Sequence, residues 1–168
     1  MIWLDMDGVL ADFDGHYQAC FGDRPTRWPE PDTVEWDKIA SVPDFYLKLP
    51  LMPGAKELFR YVDELGYGTG ILTGVPKSID ASSNHKTEWA AEPDHFPDTI
   101  VRCCQSRDKW KHGRPGDVLV DDYLKYRVEW ERMGGIFVHH TSAADSIIQL
   151  GELVSWGVIT SEESSPRS

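Results

Sequence analysis

The stretch Met1-Ile2-Trp3-Leu4-Asp5-Met6-Asp7-Gly8-Val9-Leu10-Ala11-Asp12-Phe13 decides how the rest of the chain is read. An apolar run ending in two carboxylates around one Met predicts a buried strand with a loaded tip. Successive strand side chains alternate between faces, so Asp5 and Asp7 project to the same side and Met6 turns away. Gly8 follows at once, where the backbone must turn sharply or approach a ligand closely. Parallel strands that deliver side chains from their carboxyl ends into a crevice are the usual site geometry of open α/β sheets. Asp-Gly is also an ordinary turn dipeptide, so the stretch gains meaning from what accompanies it.

Outward from this stretch, Asp12 to Cys20 predicts a helix with Phe13, Tyr17 and Phe21 on one face. Residues 22–53 are broken by prolines and studded with Trp28, Trp36, Phe45 and Tyr46. A short helix from Thr33 to Ala40 fits there, capped by Thr33, with Trp36 and Ile39 inward. The segment reads either as a surface excursion pinned by its aromatics or as a small cap holding a flat ring over the first strand's tip. Pro53-Gly54 opens a helix with Ala55, Leu58, Phe59, Val62 and Leu65 in period, and a strand follows, ending in Thr73-Gly74. Helix then strand, without a hairpin turn, means a parallel crossover.

Farther along, a helical Asn84–Ala91 carries Lys86 and Trp89, and residues 99–104 form a third strand. A short basic loop, Ser106 to His112, precedes Asp117-Val118-Leu119-Val120-Asp121-Asp122, a second apolar strand ending in two carboxylates. A mostly polar helix over 123–133, a last strand over 135–139 and a helix capped by Ser142 complete the pattern, with Ile147, Ile148 and Leu150 on the buried face. His139 and His140 face opposite ways and read as structural, and Trp110, Trp130 and Trp156 look exposed, serving either an interface or simply the core. The fold class is α/β, a Rossmann-like doubly wound, mostly parallel sheet. Residues 1–21 and 54–159 form the core, 22–53 a small cap insertion and 160–168 a loose tail.

The formal charge of −11 disfavours a polynucleotide partner, whose phosphates need a basic track, but not a small phosphorylated substrate. A mean hydropathy of −0.42 fits a soluble protein, and no apolar run reaches the length of a membrane span. The start lacks the basic-then-apolar pattern of a secretion signal. Three cysteines, two of them adjacent, imply no disulfide framework and no zinc site, so the expected setting is cytoplasmic.

Strand ends therefore present Asp5/Asp7, Thr73, the Ser106–Lys109 loop and Asp121/Asp122. Side by side they would offer hard oxygen ligands for Mg²⁺ and donors for a phosphate. Without a cation such clustered carboxylates repel a phosphate and one another.

The run Asp-Met-Asp-Gly-Val-Leu-Ala-Asp-Phe resembles the first motif of the haloacid dehalogenase-like (HAD) phosphatases, and within them most the 5'(3')-deoxyribonucleotidase branch. The later pieces of that pattern match Thr73 in Ile-Leu-Thr-Gly, Lys109 in Ser-Arg-Asp-Lys, and Asp121-Asp122 in Val-Leu-Val-Asp-Asp, so the resemblance runs from residue 1 to about residue 122. It implies a HAD fold and a phosphomonoester hydrolase in which Asp5 is the nucleophile and Asp7 the acid and base. Asp5, the Asp7 carbonyl and Asp122 would hold Mg²⁺, with Asp121 orienting from nearby. Thr73, the Gly8 and Gly74 amides and Lys109 would grip the phosphoryl oxygens.

Lys86 also resembles a lysine of nucleotidase relatives. Lys109 is preferred as the phosphate lysine, while Lys86 or Arg107 would touch the substrate more distantly, against a solvated-surface reading for Lys86, Lys77 and Lys111. Phe13 and Phe45 point by resemblance to a nucleoside monophosphate. The alternatives are another small phosphate, such as a sugar phosphate, or a module that binds metal or nucleotide without turnover.

Overall fold

Ile2, Trp3 and Leu4 form β1 (Ile2–Leu4), the middle strand of a five-stranded, all-parallel sheet. The computed structural model describes residues 1–159, and the expected loose tail over 160–168 lies outside the described residues. The other strands are β2 (Thr69–Gly74), β3 (Ile100–Cys104), β4 (Val118–Asp121) and β5 (Ile136–His139), in the order β3-β2-β1-β4-β5. The chain builds outward from β1 to β3 and then returns to the other side of β1 for β4 and β5. That reversal opens a crevice between the carboxyl ends of β1 and its two neighbours.

Helices fill the crossovers: α1 (Phe13–Phe21), α2 (Trp36–Ala40) and α3 (Ala55–Glu64) between β1 and β2, and α4 (Ser82–Ala91) between β2 and β3. A 3-10 stretch, Ser106–Lys111, joins β3 to β4; α5 (Arg127–Arg132) joins β4 to β5, and α6 (Ala143–Ser155) follows. Strand alternation sorts the core into two layers. Ile2, Leu4, Ile71, Val118 and Val120 pack with Leu58, Val62, Trp89 and Leu150, while Trp3, Leu72 and Leu119 pack with Trp130 on the other face. Trp130 is therefore buried rather than exposed, and its indole N–H donates to the Ile136 carbonyl at 3.0 Å. Trp110 and Trp156 are exposed as expected.

Two helices differ from their sequence reading. α2 starts at Trp36 rather than Thr33, because the Thr33 hydroxyl is spent accepting the Thr26 N–H at 2.8 Å to close a loop. In α6 Ser142 caps as expected, accepting the Asp145 N–H at 3.1 Å, but the buried stripe runs Ala143, Ser146, Leu150. Ile148 falls off that stripe and is 61% exposed. His140 is buried, with Nδ1 2.8 Å from the Ser146 hydroxyl, which fits a structural role. Residues 22–53 leave α1 and rejoin the core beside its start: the Asp12 N–H donates to the Pro50 carbonyl and the Met52 N–H to the Leu10 carbonyl, both at 2.8 Å.

Asp117, at the entry to β4, fastens β1 from the side. Its carboxylate accepts from the Trp3 indole at 3.1 Å, the Arg114 N–H at 3.0 Å and the Met1 amino group at 3.1 Å. Replacing it leaves a buried indole N–H without an acceptor. Asp117→Ala is expected to lower unfolding stability by about 2 kcal/mol in urea titrations; a loss below about 0.5 kcal/mol would show that these bonds are not structural.

Candidate active site

The Asp5 N–H still bonds to Val120 of β4 at 2.9 Å, so the first carboxylate stands on the sheet itself. A tight turn then reverses the chain, with the N–H groups of Leu10 and Ala11 both donating to the Met6 carbonyl, at 2.9 and 2.8 Å. Met6 is fully buried, turned away as strand alternation requires. Gly8 adopts φ +82°, and a Cβ there would lie 2.2 Å from Asp122 Oδ2. Both the conformation and the space demand glycine, and its absent side chain is what lets Asp122 come alongside the turn.

Two lysines hold the acidic tips. Lys109 Nζ donates to Asp121 Oδ2 at 2.6 Å and lies 2.8 Å from Asp5 Oδ1. Lys86, wholly buried, donates to Asp7 Oδ2 at 2.6 Å, Thr73 Oγ1 at 3.0 Å and the Gly74 carbonyl at 2.7 Å. The solvated-surface reading of Lys86 is thus overturned: its ammonium spends all three N–H donors inside the protein. Lys111 is the surface lysine, paired with Asp108 at 2.8 Å. The two lysines divide the site, Lys109 on the Asp5/Asp121 side and Lys86 on the Asp7/Thr73 side.

Four carboxylates against two ammonium groups leave the cluster short of positive charge. Burial pushes the Asp7 carboxyl above its usual range and the Asp5 charge adds to this, against the pull of Lys86. Burial also raises Asp121, against Lys109, and raises Asp122 well above the ordinary value, with Asp121 and Asp5 repelling its charge. Asp5, Asp121 and Asp122 each offer an oxygen, and these atoms lie within 4.8 Å of one another. Asp7 Oδ1 is buried without a hydrogen-bond donor among the described residues, and Asp5 Oδ1 has the Lys109 ammonium alone beside it. Clustered hard oxygens, an unbalanced negative charge and a donor-less buried Asp7 oxygen fit a divalent cation such as Mg²⁺.

Over this cluster opens a cleft of about 500 Å³. It is lined by Asp5, Asp7, Gly74 and Asp122 of the strand tips, by Phe13, Arg27, Trp36 and Tyr46 from α1 and the segment after it, and by Lys77, Ser106 and Arg107 from the loops after β2 and β3. The predicted Asp5, Asp7, Gly8, Thr73, Gly74, Lys86, Lys109, Asp121 and Asp122 all come together, and Arg107 stands at the rim. Phe45 does not reach the cleft. It is buried against Phe13, His16 and Tyr46, with ring centroids 4.8 to 5.6 Å apart, and its neighbour Tyr46 lines the wall instead. Phe13 contributes only an edge, because the Arg27 guanidinium lies 4.8 Å over its ring. Trp36 lines the cleft, whereas Trp28 is not among its lining residues.

The sequence reading also missed Arg27, Asp32, Tyr123 and Tyr126 as lining residues. Arg27 is ion-paired with Asp14 of α1, a contact across 13 residues that no local spacing announces. Tyr123 and Tyr126 follow the acidic pair directly, and that adjacency was the available signal.

No family model matches the chain. Its sequence is similar to a Bordetella pertussis protein named "Putative 5'(3')-deoxyribonucleotidase", 28% identical over 142 aligned residues covering 73% of each chain. Its fold is similar to a HAD family hydrolase from Deinococcus radiodurans solved with bound phosphate and sodium, at a TM-score of 0.50 and 15% identity, covering 95% of this chain and 96% of the other.

Removing one partner of a buried ion pair leaves the other charge uncompensated. Lys86→Met is therefore expected to cost about 3 kcal/mol of unfolding stability, and the exposed Lys111→Met less than about 0.5 kcal/mol. Equal effects in denaturant titrations would contradict the placement of Lys86 inside the site.

Proposed function

We propose, from the haloacid dehalogenase-like fold that this chain has and from the chemistry of its crevice, that the protein is a Mg²⁺-dependent phosphomonoester hydrolase acting on nucleoside monophosphates, of the deoxyribonucleotidase kind. The observation that carries this reading is the meeting of Asp5, Asp121 and Asp122 at one point, beside Asp7 and two buried lysines. The name borne by the Bordetella pertussis relative supports the nucleotide class.

Asp5 is the nucleophile of the proposed reaction: a carboxylate oxygen bonds to phosphorus as the phosphorus–ester oxygen bond breaks, giving an aspartyl-phosphate. Lys109, 2.8 Å from Asp5 Oδ1, keeps the nucleophile aimed. Asp7, whose burial favours the protonated form, delivers its proton to the departing ester oxygen. It then takes a proton from the water that attacks the aspartyl-phosphate, which frees phosphate and restores both carboxyl groups. Thr73 and the Gly74 amide serve the phosphoryl oxygens, whereas the Gly8 N–H, expected to join them, is already spent on the Ala11 carbonyl at 2.8 Å. Asp5, the Asp7 carbonyl and Asp122 would hold Mg²⁺, with Asp121, fixed by Lys109 and the Tyr123 N–H, orienting the group. Bound there, the cation supplies the positive charge that lets a phosphate dianion approach carboxylates.

Trp36, Tyr46, Tyr123 and Tyr126 give the cleft an aromatic side suited to a planar base. A panel of nucleotide and non-nucleotide monophosphates, assayed for phosphate release with and without Mg²⁺, tests the reading. Nucleoside monophosphates are expected to turn over fastest, and only with the cation; fastest turnover of sugar phosphates would retire the nucleotide assignment. Asp5→Asn should lower kcat by about 10³-fold or more, as expected for loss of the nucleophile. Asp7→Asn should slow nucleotides by about 10²-fold or more and p-nitrophenyl phosphate, whose leaving group needs no proton, far less. Equal losses on both esters would remove Asp7 from its assigned role.

A further inference from the structure

The stretches that line the cleft supply unlike chemistry. Residues 22–53 and the stretch after β4 bring the rings of Trp36, Tyr123 and Tyr126, the carboxylate of Asp32 and the cations Arg27, held by Asp14, and Lys125. The loops after β2 and β3 bring Lys77-Ser78 and Ser106-Arg107 and no carboxylate. Lys77 and Arg107 have no ion-pair partner among the described residues, and Asp108, the acid of the same stretch, is taken by Lys111 at 2.8 Å. In a chain of net charge −11, two cations beside two serine hydroxyls, with no lining carboxylate from either loop, are a local inversion of charge.

These two loops are also fixed in place. β2 and β3 are paired in parallel through Gly74 and Cys104, and the Val75 N–H continues the ladder to the Cys104 carbonyl at 2.8 Å. The Gln105 side-chain amide donates to the Val75 carbonyl at 2.8 Å, tying the two loops together. Ser106 Oγ stands where a Cβ on Gly74 would be, 2.1 Å from that position, so the donor wall runs straight off the floor of the phosphate site. In the reaction proposed above, the transferring phosphoryl group already has Thr73, the Gly74 amide and the cation. Lys77, Ser78, Ser106 and Arg107 exceed what one phosphate needs.

We propose that this wall is a subsite for a second anionic group, so that the preferred substrate is a phosphomonoester whose leaving group itself carries a phosphate. The inference rests on the phosphatase reading above and deepens its substrate class. Nucleoside bisphosphates and sugar bisphosphates share this chemistry; the aromatic side favours the nucleoside.

The test compares adenosine 3',5'-bisphosphate with adenosine 5'-monophosphate, and a hexose bisphosphate with its monophosphate, as kcat/KM ratios in the presence of Mg²⁺. The bisphosphate of the nucleoside pair is expected to be preferred by about tenfold or more, chiefly through KM, with a preference that shrinks as salt is raised. Preference confined to the hexose pair keeps the second-anion subsite and moves the source to sugars. Lys77→Gln combined with Arg107→Gln should bring the ratio to within about twofold of one. Calorimetric titration of both adenosine nucleotides into Mg²⁺-loaded Asp5→Asn protein reads the same preference as affinity without turnover. Absent turnover with tighter bisphosphate binding would sink the phosphatase reading and leave the subsite standing. Ratios near one in both turnover and affinity would overturn the subsite.

Discussion

Two ammonium groups buried beneath the carboxyl ends of the central strands hold the site together. Lys109 binds Asp5 to Asp121 across β1 and β4, and Lys86 binds Asp7 to Thr73 and Gly74 across β1 and β2. Each lysine therefore joins neighbouring strands at the point where the order of the sheet reverses. Desolvating an ammonium is costly, and contact with carboxylates is what offsets it. The same contacts set ammonium charge against the mutual repulsion of Asp5, Asp7 and Asp121. The two lysines do not balance the site, because four carboxylates outnumber two ammonium groups, an excess that suits a divalent cation.

This arrangement explains which features admit no substitute. Gly8 leaves the space in which Asp122 sits, and Gly74 leaves the space for the Ser106 hydroxyl. The sheet's own packing sits behind the site, with Trp3 and Trp130 on one face and the larger aliphatic layer on the other, so the acidic tips stand on rigid strands rather than on loops. Residues 22–53 add Arg27, Trp36 and Tyr46 to the cleft, and hydrogen bonds at Asp12 and Met52 anchor both ends of that segment beside the first turn.

Much of this was legible in the sequence because it is local and periodic. An apolar run followed by paired acids, read twice, placed β1 and β4 and all four carboxylates, and the helix-then-strand order dictated a parallel sheet. What stayed hidden depends on long-range pairing. Lys86 was singled out only by resemblance, since by spacing it looks like any helix-surface lysine, and its three bonds to Asp7, Thr73 and Gly74 come from laying α4 over the tip of β2. Arg27 is recruited by Asp14, and Phe45 and Tyr46 exchange roles because the chain turns in a 3-10 stretch at that point. Trp130 and Ile148 went astray for a related reason: in short amphipathic helices the buried stripe is set by the neighbouring strand, and one step in register moves a side chain from core to solvent.

Acids from β1 and β4 stand close enough to share one divalent cation. Crystals soaked in Mn²⁺, used as a scatterer in place of Mg²⁺, test it through an anomalous difference map. The account predicts one dominant peak within coordination distance of Asp5 and Asp122, beside the Asp7 carbonyl; a peak elsewhere, or none at saturating cation, would contradict it.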